Sequence, residues 1–80
     1  MLNYTVYILL CNDQTYYTGF TRNINKRLKA HNNREVHYTK DKLPIELIHI
    51  SYFKDEKTVY DYERYLKSGS GIAFRNKRLV

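Results

Sequence analysis

Residues 4–31, YTVYILLCNDQTYYTGFTRNINKRLKAH, change hydrophobic period once, and that change constrains everything the chain can build. Tyr4 to Leu10 is rich in aromatic and β-branched residues, which predicts a strand. Tyr4, Val6, Ile8 and Leu10 then share one face, and Thr5, Tyr7 and Leu9 the other. Asn12-Asp13-Gln14 supplies turn chemistry, and Thr15 to Thr21 reads as a second strand, making an antiparallel hairpin. Cross-strand partners lie on the same face, so a three-residue loop, Cys11 to Asp13, sets Tyr7 opposite Tyr17, whereas a two-residue loop splits them. Gly19 inside the second strand marks a bulge or the close approach of another group.

From Asn23 to Asn33 the period becomes helical, with Thr21 or Asn23 available as the cap. Ile24 and Leu28 form the buried stripe. Arg27 and His31, one turn apart, flank it at the edge of the core, and Lys26, Lys29 and Asn33 point away.

A polar loop, residues 34–44, ends at Pro44. Ile45 to Phe53 reads as a third strand of mixed polarity. Ile45, Leu47, His49 and Ser51 alternate with Glu46, Ile48, Ile50 and Tyr52, and neither set is plainly the buried one. A second helix starts at Asp55 or Lys57-Thr58 and runs to about Lys67, with Val59, Tyr62 and Leu66 as its apolar stripe. Glu63 falls on that same side, which is unusual because an unpaired buried carboxylate is costly. Ser68-Gly69-Ser70-Gly71 breaks the chain before a short helix of about Ile72 to Leu79.

Eighty residues predict one domain, 1–80, and a chain this short buries only about 60% of its unfolded surface. One cysteine, Cys11, excludes an internal disulfide and fits a reducing compartment. The longest apolar run, Val6 to Cys11, is far below the roughly 20 residues that span a bilayer, and no signal-peptide pattern is present. These features predict a cytoplasmic protein with no membrane partner. The formal charge is +6 and is unevenly placed. Residues 22–42 hold seven Lys/Arg against Glu35 and Asp41, residues 64–80 hold five and no acid, and residues 43–63 between them are net acidic. Two basic segments can fold into one face that favours a polyanion, most often nucleic acid; a plain solvated surface is the alternative.

Arg27, His31 and Glu63 directed toward the interior of a small basic protein fit phosphodiester hydrolysis. Glu63 is a carboxylate for a divalent ion such as magnesium, which takes one or two carboxylates plus phosphate oxygens and water. Arg27 is a fixed cation for charge that develops on the phosphate. A phenol whose pKa falls below about 10 can activate water, and His31 can orient it or relay a proton. Each residue also has a plainer reading. Strand tyrosines usually pack, Arg27 and His31 fit an ordinary helix surface, and Glu63 fits an ion pair with Arg27 or Lys67. Cys11 with His31, His37 and His49 lacks any zinc-ligand spacing.

The motifs also carry a resemblance. The chain resembles the GIY-YIG nuclease superfamily in its small stand-alone bacterial branch, and is similar to the catalytic domain of the excinuclease C subunit. The first signature triplet stands as Thr5-Val6-Tyr7 and the second as Tyr17-Thr18-Gly19, within VYIL and YYTGFT and followed by RLKAHN and ERYLKSGSG. The likeness covers about Tyr4 to Leu79. It implies an α+β fold, a three-stranded antiparallel β-sheet flanked by helices in the order β-β-α-β-α-α. It implies Tyr7 as general base, Tyr17 as positioning the water or phosphate, Arg27 as stabilising phosphoryl charge, His31 at a position held by His or Tyr, and Glu63 as the single metal ligand. One Mg2+ or Mn2+ ion is the implied cofactor. Asn76 corresponds loosely to a late asparagine of the family. Thr stands where the motifs have Gly and Ile, at structural positions that carry no catalytic group.

The leading expectation is therefore a metal-dependent endonuclease on DNA, structure-specific or repair-related. Arg22, Lys26, Lys40, Lys67, Arg75 and Asn76 are the expected nucleic-acid contacts. Larger relatives append modules that choose the substrate, so a protein partner supplying specificity, or a monomer or weak homodimer reading nucleic-acid shape, is expected. The alternatives are a binding module of the same fold with weak or no activity, and an interaction domain whose basic face meets an acidic protein.

Overall fold

The computed structural model describes residues 4–79. Two strands, β1 (Tyr4–Leu10) and β2 (Tyr16–Thr21), are followed by α1 (Ile24–Asn32), β3 (Glu46–Phe53), α2 (Glu56–Leu66) and α3 (Gly69–Arg78). This is the expected α+β order. The three strands form one antiparallel sheet in the order β2-β1-β3.

Strand alternation divides the molecule at the sheet. Val6 and Ile8 project to the side where Val59 and Leu66 of α2 complete a fully buried cluster, joined by Phe20, Phe53, Tyr62 and Leu79. Burying such side chains contributes roughly 1.5–3 kcal/mol each, the main stabilisation available to so small a fold. Thr5, Tyr7 and Leu9, on the other side, are buried too, and α1 brings His31 to Tyr7 there. The central strand is thus buried on both faces.

The hairpin register differs from the one expected of a three-residue loop. Tyr7 pairs with Gly19 and Tyr17 with Leu9, because Cys11 to Thr15 all belong to the connection. The longer loop is closed by its own bonds. The Cys11 amide donates to the Thr15 carbonyl at 2.8 Å, the Thr15 amide donates to the Asp13 carboxylate at 3.1 Å, and Gln14 takes a left-handed φ of 70°. Lengthening the loop by two residues preserves parity, so Tyr7 and Tyr17 keep one face, displaced diagonally.

The mixed polarity of β3 has a local cause. Its pairing with β1 shifts between Ile8 and Leu9, where His49 pairs with Ile8 but Leu47 pairs with Leu9. The extra residue, Ile48, turns into the core beside Val6 and Ile8 instead of sharing the face of Ile50.

The helix caps follow the sequence. The Lys26 amide donates to the Asn23 side chain at 3.1 Å, and the Thr58 amide to Asp55 at 2.9 Å. α3 begins three residues earlier than Ile72. Ser68 caps it, accepting from the Gly71 amide at 3.2 Å, so the expected breaker is the first helical turn. Gly71 is buried where a Cβ would collide with the Tyr65 carbonyl, which lets α3 dock closely against the end of α2.

Candidate active site

The site is built around Tyr7. Its side chain is fully buried at the centre of the sheet, and its hydroxyl points at α1. The hydroxyl lies 3.0 Å from His31 Nε2 and accepts a hydrogen bond from Arg27 Nε at 3.2 Å. The helical spacing of Arg27 and His31 puts both on the one turn that meets Tyr7. His31 is not at the core edge, as its place in the sequence suggests; it is the one fully buried residue of α1, whereas Ile24 and Leu28 are half-buried. Gly19, opposite Tyr7, leaves the space its hydroxyl occupies, since a Cβ there would stand 2.7 Å from the phenol oxygen.

Arg27 can only donate, which leaves the phenolic hydrogen of the buried Tyr7 available to His31 Nε2. With the hydroxyl hydrogen on that bond, His31 carries its own hydrogen on Nδ1, which lies 2.7 Å from Thr39 Oγ1. Thr39 is fully buried. Turn bonds hold it, with its amide donating to the Val36 carbonyl at 3.2 Å and its carbonyl accepting from the Lys42 amide at 2.9 Å. The sequence does not point to Thr39 as a site residue, because a threonine in a polar loop carries no spacing signal.

Electrostatics keep this chain uncharged at rest except at the arginine. Burial pushes the Tyr7 phenol up to about 12, opposed by the Arg27 hydrogen bond, so the fall below about 10 expected of a water-activating phenol is not found at rest. Burial, with the Arg27 charge added, pushes His31 down to about 4. The Tyr7 contact in turn raises Arg27 further above its ordinary value.

Tyr17 closes the cluster. Its ring centroid is 5.1 Å from that of His31, edge-on, and 6.1 Å from that of Tyr7. Tyr38, from the loop after α1, packs against its other side at 5.3 Å.

Glu63 stands on α2, the helix packed against the Val6 and Ile8 side of the sheet. It is 8% exposed, between Val59 and Leu66 as the helical period requires. Of the two ion-pair partners open to it, the structure has Lys67, whose Nζ is 2.5 Å from Oε2 and 6.0 Å from the Tyr17 ring centroid. Lys67 therefore links the carboxylate to the tyrosine cluster. Among the described residues no three His, Cys, Asp or Glu side chains are grouped to hold a metal. One carboxylate still fits magnesium or manganese, which fill their remaining positions with water and phosphate oxygens.

The expected nucleic-acid contacts are dispersed. Lys67 and Arg75 line a cleft beside Tyr17. Lys26 shares a second hollow with Arg27 at the start of α1. Arg22 lies over the Tyr4 ring at 5.3 Å, and Lys40 is exposed, its carbonyl accepting from Arg34 at 2.7 Å. Asn76 is exposed on α3 and accepts from the Arg75 guanidinium at 3.0 and 3.1 Å, so it is not brought to Tyr7. No helix among the described residues is long and apolar enough to cross a membrane.

The chain is similar to known proteins over most of its length. A UPF0213 protein of Clostridium perfringens is 42% identical over 67 residues, covering 82% of this chain and 71% of that protein. A UPF0213 protein of Natronomonas pharaonis is 37% identical over 76 residues, covering 94% and 87%. The solution structure of the UPF0213 protein BH0048 from Bacillus halodurans superposes with a TM-score of 0.54 at 32% identity, over 81% of this chain and 70% of that one. Residues 3–76 match the GIY-YIG catalytic domain, a nuclease-type domain that contains every residue of the Tyr7 cluster and Glu63, and the chain belongs to that family.

Proposed function

We propose that the protein is a metal-dependent endonuclease that hydrolyses phosphodiester bonds in DNA. The observation that carries this reading is the buried hydrogen-bonded chain Arg27–Tyr7–His31–Thr39, in a basic protein that also keeps one near-buried carboxylate, Glu63, on α2. A fully desolvated tyrosine with an arginine and a histidine on one oxygen is more than packing requires.

In this reading Tyr7 takes a proton from the attacking water and passes its own to His31 Nε2, so no net charge is stranded on the phenol. Thr39 accepts from His31 Nδ1 in this reading, the tautomer in which Nε2 is free to accept. Arg27, a permanent cation, offsets the negative charge gathering on the phosphate oxygens. Tyr17 packs against His31 and fixes the imidazole plane. Glu63 would hold a magnesium or manganese ion, which supplies Lewis-acid polarisation of the phosphate when bound.

The Glu63–Lys67 pair favours a second reading, a nucleic-acid-binding module with little activity, because a lysine already neutralises the carboxylate. One assay separates the two. Labelled single-stranded, duplex, flap and branched DNA are incubated with magnesium, then manganese, beside Glu63→Ala and Tyr7→Phe. Cleavage that falls at least about a hundredfold in both variants is the expected result. Salt-sensitive binding without cleavage would replace the nuclease reading with the second one.

A further inference from the structure

The chemistry proposed above leaves one cleft unused. It has a volume of about 250 Å³ and runs along the β2 edge, between the loop after α1 and the start of α3. Tyr16, Tyr17 and Tyr38 supply aromatic walls, Ile72 an apolar one, and Lys67 and Arg75 its charge; no carboxylate lines it. Tyr38 is 44% exposed and Ile72 is 38% exposed, a high price in solvated apolar surface for residues with no ligand.

The rings already hold flat or cationic partners. The Arg75 guanidinium lies 4.7 Å from the Tyr16 centroid, and the Lys42 ammonium 4.2 Å from that of Tyr38. Both cations sit on flexible stems, so a planar ligand can take their place on the ring while they swing to phosphate oxygens. Another hollow, lined by Phe20, Glu56, Lys57 and Tyr60, has two aromatics but an acid in its wall and one lysine. The cleft beside Tyr17 joins three tyrosines to two cations, Arg75 and the Glu63-paired Lys67, with no carboxylate in its own wall.

We propose that this cleft receives an unpaired base of a DNA strand, near the phosphate that the nuclease reading assigns to Arg27. The inference rests on the nuclease reading and adds the substrate class to it. A base inside a duplex is stacked between its neighbours and cannot reach an aromatic wall, so the strand must be single or the nucleotide extruded at that point. Tyr17 belongs to both places, as a wall of the cleft and as the ring packed on His31. Lys67 also belongs to both, lining the cleft while paired with Glu63. An occupied cleft therefore bears directly on the catalytic cluster.

The test is binding in EDTA, where cleavage cannot intervene. A single-stranded oligonucleotide carrying one 2-aminopurine is titrated by anisotropy and by base fluorescence, beside the blunt duplex of the same sequence. The expected result is tighter binding of the single strand by about tenfold or more, with a change in 2-aminopurine emission. Tyr38→Ala weakens single-strand binding about tenfold, the loss of one stacked base, and leaves duplex binding unchanged in a variant that still melts cooperatively; Ile72→Glu, which sets a carboxylate beside Lys67 and Arg75, weakens single-strand binding at least as much. Tyr60→Ala, in the other hollow, changes neither. Equal affinity for both forms, indifferent to Tyr38→Ala and Ile72→Glu, overturns the base site and leaves the nuclease reading to the cleavage assay. Binding to neither form at low salt overturns both.

Discussion

Gly19 and Tyr7 face each other across β1 and β2, and the hydroxyl of Tyr7 fills the space a side chain at Gly19 would need. The phenol cannot retreat, because Arg27 and His31 hold its oxygen and the ring is fully buried. Gly19→Ala therefore displaces the Tyr7 oxygen. Overpacking of this kind costs about 1–3 kcal/mol, whereas misplacing a catalytic group by about 1 Å costs up to a hundredfold in rate. The expected variant stays folded by urea titration, loses roughly 2 kcal/mol, and loses ten- to a hundredfold in cleavage. An unchanged rate in a folded variant would show that the position of Tyr7 is immaterial to the reaction.

His31 makes the fold acid-sensitive. The unfolded imidazole takes up a proton near pH 6.5, but the folded one only near 4, since burial and the Arg27 charge disfavour its cation. Between those values the unfolded chain binds the extra proton. The stabilisation is thus complete above about pH 6.5 and is lost as pH falls toward 4, by on the order of 3 kcal/mol. Urea unfolding at about pH 7 and about pH 4.5 should show this loss, and His31→Asn should flatten the dependence whatever it does to absolute stability. A slope identical in the variant would assign the acid sensitivity to other groups.

Lys67 competes for the carboxylate that would hold a metal. Its ammonium neutralises Glu63 and is half-exposed, so the pair is worth no more than about 1 kcal/mol. Lys67→Met is expected to tighten Mn2+ binding about fivefold by electron paramagnetic resonance titration, and Glu63→Gln to abolish it. Tyr7→Phe as the background separates this readout from cleavage. Mn2+ affinity unchanged by Lys67→Met would mean that the ion does not share the carboxylate with the lysine.

What is legible in the sequence depends on period. Strand alternation, with its period of two, puts Tyr7 on one face of β1 with Thr5 and Leu9, and Tyr17 joins that face only for a loop of odd length; the helical period puts Glu63 on the buried stripe of α2, four residues after Val59 and three before Leu66. Where no period runs, the sequence is silent. Thr39 and Tyr38 lie in a loop ordered by turn bonds to Val36 and by contact with His31 and Tyr17. The hairpin register is hidden because Gln14 adopts a left-handed conformation seldom expected of glutamine. The inner face of β3 is hidden because one shifted residue, Ile48, breaks the alternation that would otherwise mark it. The start of α3 is hidden because Ser68 and two glycines look like an interruption, although serine is also a strong cap.

Those two glycines are not equivalent. A Cβ at Gly71 would run into the Tyr65 carbonyl and the Leu66 backbone at the end of α2, atoms that cannot move without unseating the helix junction. Gly69, at the first position of the same helix, has open space where a Cβ would stand, with nothing within 4 Å, and its φ is not positive. Gly71→Ala is therefore expected to destabilise by about 3 kcal/mol and to loosen α3, taking Arg75 with it. Gly69→Ala should instead stabilise by roughly 0.4–1 kcal/mol, because alanine lowers the freedom of the unfolded chain and favours the helix. Urea titration of both variants decides the matter. Comparable losses in the two would mean that the α2–α3 junction does not depend on close backbone contact at Gly71.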